Sequence, residues 1–119
     1  MPGLASALSG ADAERRAARH LFWRGWRICA RNWIGGGGEL DLVCSRWRTL
    51  LIVEVRRRQT VDAAFLSVDR AKLDRTLAAA DALVRAHGLR RYHLRVDVIA
   101  VDGRGKLHRR RDVTRMDRI

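Results

Sequence analysis

The sequence predicts an α/β domain (α+β by stricter usage), a sheet flanked by helices with its elements in the order αβββαβ. Three observations predict it. Two stretches place apolar residues at helical spacing and end on a glycine, at Gly25 and Gly88. Other stretches, between 26 and 58 and between 92 and 101, alternate with the period of a strand. The chain has 119 residues, with no internal repeat and no break in composition, which suits one domain with one core.

Residues 1–8 carry no periodic pattern and read as a disordered leader; the domain is expected over 9–113, with 114–119 as a tail. Ser9 is a suitable N-cap, and Asp12 complements the helix start. This helix runs to about Arg24 and stops at Gly25. Ala17, Ala18 and Leu21 make its apolar stripe, and Glu14 falls on that same stripe. A Glu near a helix start has an ordinary explanation in the helix dipole, and an acid held inward has another; both stay open here.

The first strand spans Trp26–Trp33, with Trp26, Ile28 and Ala30 on one side. Gly35–Gly38 then makes a permissive loop. It lacks the lysine and helix of a phosphate-binding P-loop, so it reads as a turn between adjacent strands.

The next stretch, GELDLVCSRWRTLLIVEVRRR at 38–58, reads as two strands joined by a polar turn. Glu39, Asp41 and Val43 share one face of the first; Ile52, Glu54 and Arg56 share one face of the second. If Arg46–Thr49 is a four-residue loop, Val43 stands opposite Ile52, Asp41 opposite Glu54, and Glu39 opposite Arg56. Directly opposed residues have Cβ atoms about 5 Å apart. Two carboxylates so placed repel unless a proton or cation sits between them, and Mg²⁺ is the natural cation for oxygen ligands. The plainer alternative is a set of solvent-facing acids, with Glu39 and Arg56 as a surface ion pair.

Arg56, Arg57 and Arg58 leave the sheet as a basic run able to grip phosphates. Thr60–Leu66 reads as a connector. Ser67 is the expected cap of a second helix that runs to about His87, with Leu73, Leu77, Ala80 and Val84 inward and Lys72 beside that stripe. Tyr92–Val101 is a strand in which Asp97 reads as the structural partner of an arginine. Asp102–Gly105 is a turn, and Lys106–Arg111 a short basic edge strand.

Composition narrows the function classes. Lys and Arg number 25 against 13 acids, a net charge of +12. Lys72 and Lys106 are the only lysines. An arginine-rich excess points to nucleic acid or another polyanion. Only three of the acids are Glu, and Glu39 and Glu54 lie in the hairpin. Cys29 and Cys44 sit in apolar strand contexts without metal-type spacing. No His has ligand-like spacing to a second His or Cys. No secretory signal and no membrane-length apolar run is present, so a soluble cytoplasmic protein with reduced thiols is expected.

The spacing D–x₁₂–ExR on adjacent strands, after a Glu on the preceding helix, resembles the restriction-endonuclease-like nucleases with their PD-(D/E)xK motif. More closely, the chain resembles the YraN family of small bacterial proteins over roughly 9–101. The matching residues are Gly10 through Glu14 to Leu21, Arg31-Asn32, GELDLV at 38–43, VEVRRR at 53–58, Ser67-Val68, Lys72, and Arg95 to Val98. The resemblance implies a restriction-endonuclease-like core built on a central mixed sheet, and an Mg²⁺- (or Mn²⁺-) dependent endonuclease acting on DNA. It implies Asp41 and Glu54 as metal ligands, with Glu14 as an extra acid leaning in, as in the similar Holliday-junction resolvases. Glu39 belongs to the family's GE(I/L)D signature and would support the ligands from behind. Arg56 holds the place of the motif's lysine, beside Arg57, Arg58 and Lys72 as contacts to nucleic acid. Resolvases act on branched DNA and as dimers, so both features are implied too. An arginine stays charged at any useful pH, so Arg56 cannot be a general base but can stabilise a charged transition state. The alternative is a nucleic-acid-binding module that keeps the fold without efficient catalysis.

Overall fold

The computed structural model describes residues 2–114, with side chains from Ala11 onward. Met1 and 115–119 lie outside the described residues, and so does the expected tail beyond Thr114. The elements are α1 (Pro2–Phe22), β1 (Arg27–Gly35), β2 (Gly38–Arg46), β3 (Thr49–Arg57), α2 (Val61–Leu66), α3 (Arg70–His87), β4 (His93–Val101) and β5 (Leu107–Arg110).

The strands form one mixed sheet in sequential order, β1-β2-β3-β4-β5. Neighbours run antiparallel except β3 and β4, which are parallel and joined through α2 and α3. Such a pair needs a crossover helix, and that crossover lays α3 across one face of the sheet. Ala13, Ala17, Ala18 and Leu21 of α1 pack on Leu42, Cys44, Leu51, Val53 and Ile99 on the other face. Leu73, Ala79, Ala80 and Leu83 of α3 pack on Val43, Ile52, Val96 and Val98. The central strands are therefore covered on both sides, as the expected nuclease-like core requires.

Local chemistry explains the boundaries. Gly36 and Gly37 turn β1 into β2 with φ of 60° and 82°, which glycine adopts without strain. The β2–β3 connection is tighter than the expected four-residue loop. Arg46 pairs with Thr49, leaving Trp47 (φ 57°) and Arg48 as the turn.

Three further expectations are corrected. Thr60–Leu66 is not a plain connector: the Thr60 hydroxyl accepts from the Ala63 amide and caps α2. Ser67 closes that helix, and Asp69 caps α3 by accepting from the Lys72 amide. Gly88, with φ 63°, stops α3 as expected. Helix α1, as bounded, starts at Pro2, ahead of the expected Ser9 cap.

Candidate active site

Asp41 and Glu54 meet where β2 and β3 part. Their pairing is regular from Arg46↔Thr49 to Leu42↔Val53, the register in which Val43 faces Ile52. The ladder ends there, and the next outward rung is replaced by a side chain: Asp41 Oδ2 accepts the Val55 amide at 2.8 Å. Glu54 is fully buried. Its Oε1 accepts from the Thr76 hydroxyl at 2.7 Å and lies 3.3 Å from Lys72 Nζ. Its Oε2 has no hydrogen-bond partner. Lys72 and Thr76 are one helical turn apart on α3, so one face of that helix supplies both contacts.

The electrostatics of the pair are unfavourable as it stands. Burial first, then repulsion by Glu54, pushes the Asp41 carboxyl up to about 7, and a proton shared with Glu54 pushes the same way. The Val55 amide and Arg56 oppose this without cancelling it. An acid pair held this way takes up a proton or a cation near neutral pH.

The other residues singled out by sequence fall around this pair. Arg56 is half-buried beside it, its Nε without a partner. Arg57 is half-buried, and Arg58 is exposed and donates to the Arg57 carbonyl. Glu39 is exposed and pairs with Ile34 of β1; the β2–β3 ladder ends at Leu42↔Val53, so the expected Glu39–Arg56 rung does not form. Glu14 is half-buried on α1, where its carboxylate accepts from the Asn32 amide at 3.4 Å. It does not join the pair: among the described residues no three His, Cys, Asp or Glu side chains are grouped to hold a metal. Sequence reasoning missed Thr76, whose signal was a polar residue four positions after Lys72 on an otherwise apolar face.

Asp97, the other fully buried acid, is saturated. It accepts from Arg95 Nε and Nη2, from Arg109 Nε, and from the Asp112 amide at 2.9–3.1 Å. With every oxygen engaged, it is a structural clamp between β4, β5 and the chain after them. Among the described residues no helix is long and apolar enough to cross a membrane.

Comparison with known proteins places the chain in a family. Residues 13–101 match the family described as "Uncharacterised protein family UPF0102". A UPF0102 protein of Myxococcus xanthus is 43% identical over 100 residues, covering 82% of this chain and 79% of its own. One of Pseudomonas fluorescens strain Pf-5 is 40% identical over 98 residues, 80% of each chain. With the matched span running from α1 through β4 and including Asp41, Glu54 and Lys72, the chain belongs to the UPF0102 (YraN) family.

Proposed function

We propose that this protein is a divalent-metal-dependent phosphodiester hydrolase acting on nucleic acid, in the first place DNA, branched DNA included. One observation carries the reading: two carboxylates share a buried corner, where Glu54 Oε2 meets no donor but a proton held by Asp41, whose carboxyl is raised to about 7. The donor set fits Mg²⁺ (or Mn²⁺), which is commonly held by one or two carboxylates plus waters and substrate phosphate. It does not fit zinc, which takes His and Cys ligands in number.

When bound, the cation supplies positive charge to a phosphoryl oxygen and makes water nucleophilic near neutral pH. The chain's own groups prepare that chemistry. Thr76 and Lys72 hold Oε1 of Glu54, so Oε2 is the oxygen presented. The Val55 amide holds Oδ2 of Asp41 and fixes its orientation. Arg56 contributes fixed positive charge where negative charge builds up in phosphoryl transfer. Lys72 supplies from α3 the ammonium that the motif usually supplies from the strand. Arg57 and Arg58 extend the positive surface toward flanking phosphates. Both cysteines are free, and we read the protein as cytoplasmic with its thiols reduced.

A second reading, a nucleic-acid-binding module without catalysis, is favoured by Arg56 at the lysine position and by Glu14 standing apart from the pair. Calorimetric titration with Mg²⁺, with and without DNA, separates the two when paired with cleavage assays on linear and four-way-junction DNA. The hydrolase reading expects metal binding that is lost in Asp41→Asn and Glu54→Gln. It also expects cleavage that falls in Lys72→Met. DNA binding without metal uptake or product in the wild type refutes it in favour of the binding module.

A further inference from the structure

A groove lies on the surface between α1 and β1, the edge strand of the sheet. One hollow of about 300 Å³ is lined by Arg15, Ala18, Arg19, Phe22, Ile28 and Arg31. A second, of about 490 Å³, continues past Phe22 and Ile28 to Trp26 and Arg27. No acid lines either hollow. Among the described residues, Arg19, Arg27 and Arg31 make no ion pair, and Arg15 has only a 3.9 Å contact to Asp12. Phe22 is 60% exposed and Trp23 76%, an apolar area that folding leaves uncovered. The two rings meet edge to face at 5.7 Å, which leaves ring faces open to a third planar group.

We infer that this groove binds single-stranded nucleic acid, its phosphates on Arg15, Arg19 and Arg31 and an unpaired base stacked on Phe22 or Trp23. The inference rests on the hydrolase reading for its purpose and gives that reading a substrate class: nucleic acid with an unpaired arm. Arginines alone would suit any polyanion, and exposed aromatics alone would suit a protein partner. Their combination suits unpaired nucleotides, which offer both phosphates and free base faces, whereas a duplex stacks its base faces against each other. A second copy of this chain is a poor occupant, because a two-fold contact would bring the arginines against their own copies. The groove also points at the site. Arg31 pairs with Leu42 and Trp33 with Leu40, which sets Asn32, the residue holding Glu14, alongside Asp41.

The test is fluorescence anisotropy of labelled oligothymidylate and of a blunt duplex of equal charge, in EDTA so that no cleavage intervenes. The full chain is expected to prefer the single strand. The double variant Phe22→Ala/Trp23→Ala is expected to lose about tenfold or more in single-strand affinity, with Trp23→Phe retaining most of it. Arg19→Gln/Arg31→Gln should weaken binding and reduce the slope of log affinity against log salt by about 1.4. Equal or tighter duplex binding, or an aromatic variant within about twofold of wild type, overturns the inference. So does a dimer, seen by sedimentation, that the same variant dissociates. The two readings fail separately. Metal-dependent duplex cleavage without single-strand preference removes the groove alone, and single-strand binding without metal uptake or cleavage removes the hydrolase alone.

Discussion

Replacing Asp41 by asparagine is expected to stabilise the metal-free protein, by an amount that grows as pH rises from about 4 to about 7. The Asp41 carboxyl titrates near 7 in the fold, against a carboxylate's ordinary value near 3.8. A raised acid means that the folded state binds the proton more tightly than the unfolded chain. Stability is then complete below the ordinary value and is lost as pH rises through about 7. A span of about three pH units at about 1.4 kcal/mol each gives an upper bound of about 4 kcal/mol. Asp41 keeps some contact with solvent and shares its proton with Glu54, so about 2–4 kcal/mol is the expected range. Asparagine copies the protonated acid: it keeps an oxygen for the Val55 amide and offers an N–H to Glu54. It removes the loss without removing the contact.

The assay is urea unfolding in EDTA at several pH values between about 4 and 8, with wild type and variant side by side. His20 gives a slope of the opposite sign. Burial, and then Arg24, Arg109 and Arg111, lower its basicity, so its contribution returns as pH rises. Both proteins carry His20, and the difference between them cancels it. The curves should meet near pH 4 and separate by the full amount above about pH 7. Mg²⁺ should close the gap from the wild-type side alone, by mass action on the metal-competent form. A wild type whose stability relative to the variant stays flat across this window refutes the reasoning about the acid pair.

Thr76→Val keeps shape but removes the hydroxyl that Glu54 Oε1 accepts, at a cost of about 1–3 kcal/mol in urea unfolding and a weaker Mg²⁺ isotherm. Asp97→Ala strands Arg95 and Arg109 without their shared acceptor; a loss of about 3–5 kcal/mol is expected, with the metal isotherm unchanged in protein that remains folded. Gly36→Ala forces a Cβ to within 2.7 Å of the Ala78 carbonyl at φ 60°. A drop of about 1–3 kcal/mol should follow, larger than for Gly37→Ala, whose Cβ would meet nothing within 4 Å.

The elements readable from sequence were those whose own residues set them. Gly88 announced the end of α3, and the supposed Arg46–Thr49 connection gave the β2–β3 register, which the core holds because a one-residue slip would carry Leu42 and Val53 out of it. What was not readable depends on long-range packing or on short signals. Helix α2 has six residues, too few to display a helical period. The Trp47 turn needs a positive φ without a glycine to advertise it. Glu54 and its partners Lys72 and Thr76 are far apart in the chain and meet because the parallel β3–β4 pair sends α3 back over the Glu54 face. The Asp97 clamp was foreseen in kind, as an acid held by arginine, but one of its two arginines comes from β5.

The register also explains why the site lies where it does. Continued outward, the ladder would bring Leu40 opposite Val55, but regular pairing stops at Leu42↔Val53. Leu40 instead packs with the α3-side cluster, while Leu42 and Cys44 pack on the α1 side, so β2 breaks its alternation at Asp41. A strand amide left by such a break must find an acceptor, and Val55 finds Asp41. Asp41 thus has two separable duties, filling a missing rung and presenting a carboxylate. Alanine abolishes both, whereas asparagine abolishes only the second. Both variants should lose Mg²⁺ binding alike. Near pH 4.5, where the acid is protonated in wild type, Asp41→Ala should be about 1–3 kcal/mol less stable than Asp41→Asn, the cost of orphaning a part-buried amide. Equal stability of the two variants there would mean that Val55 has another acceptor, and that the break in the ladder owes nothing to Asp41.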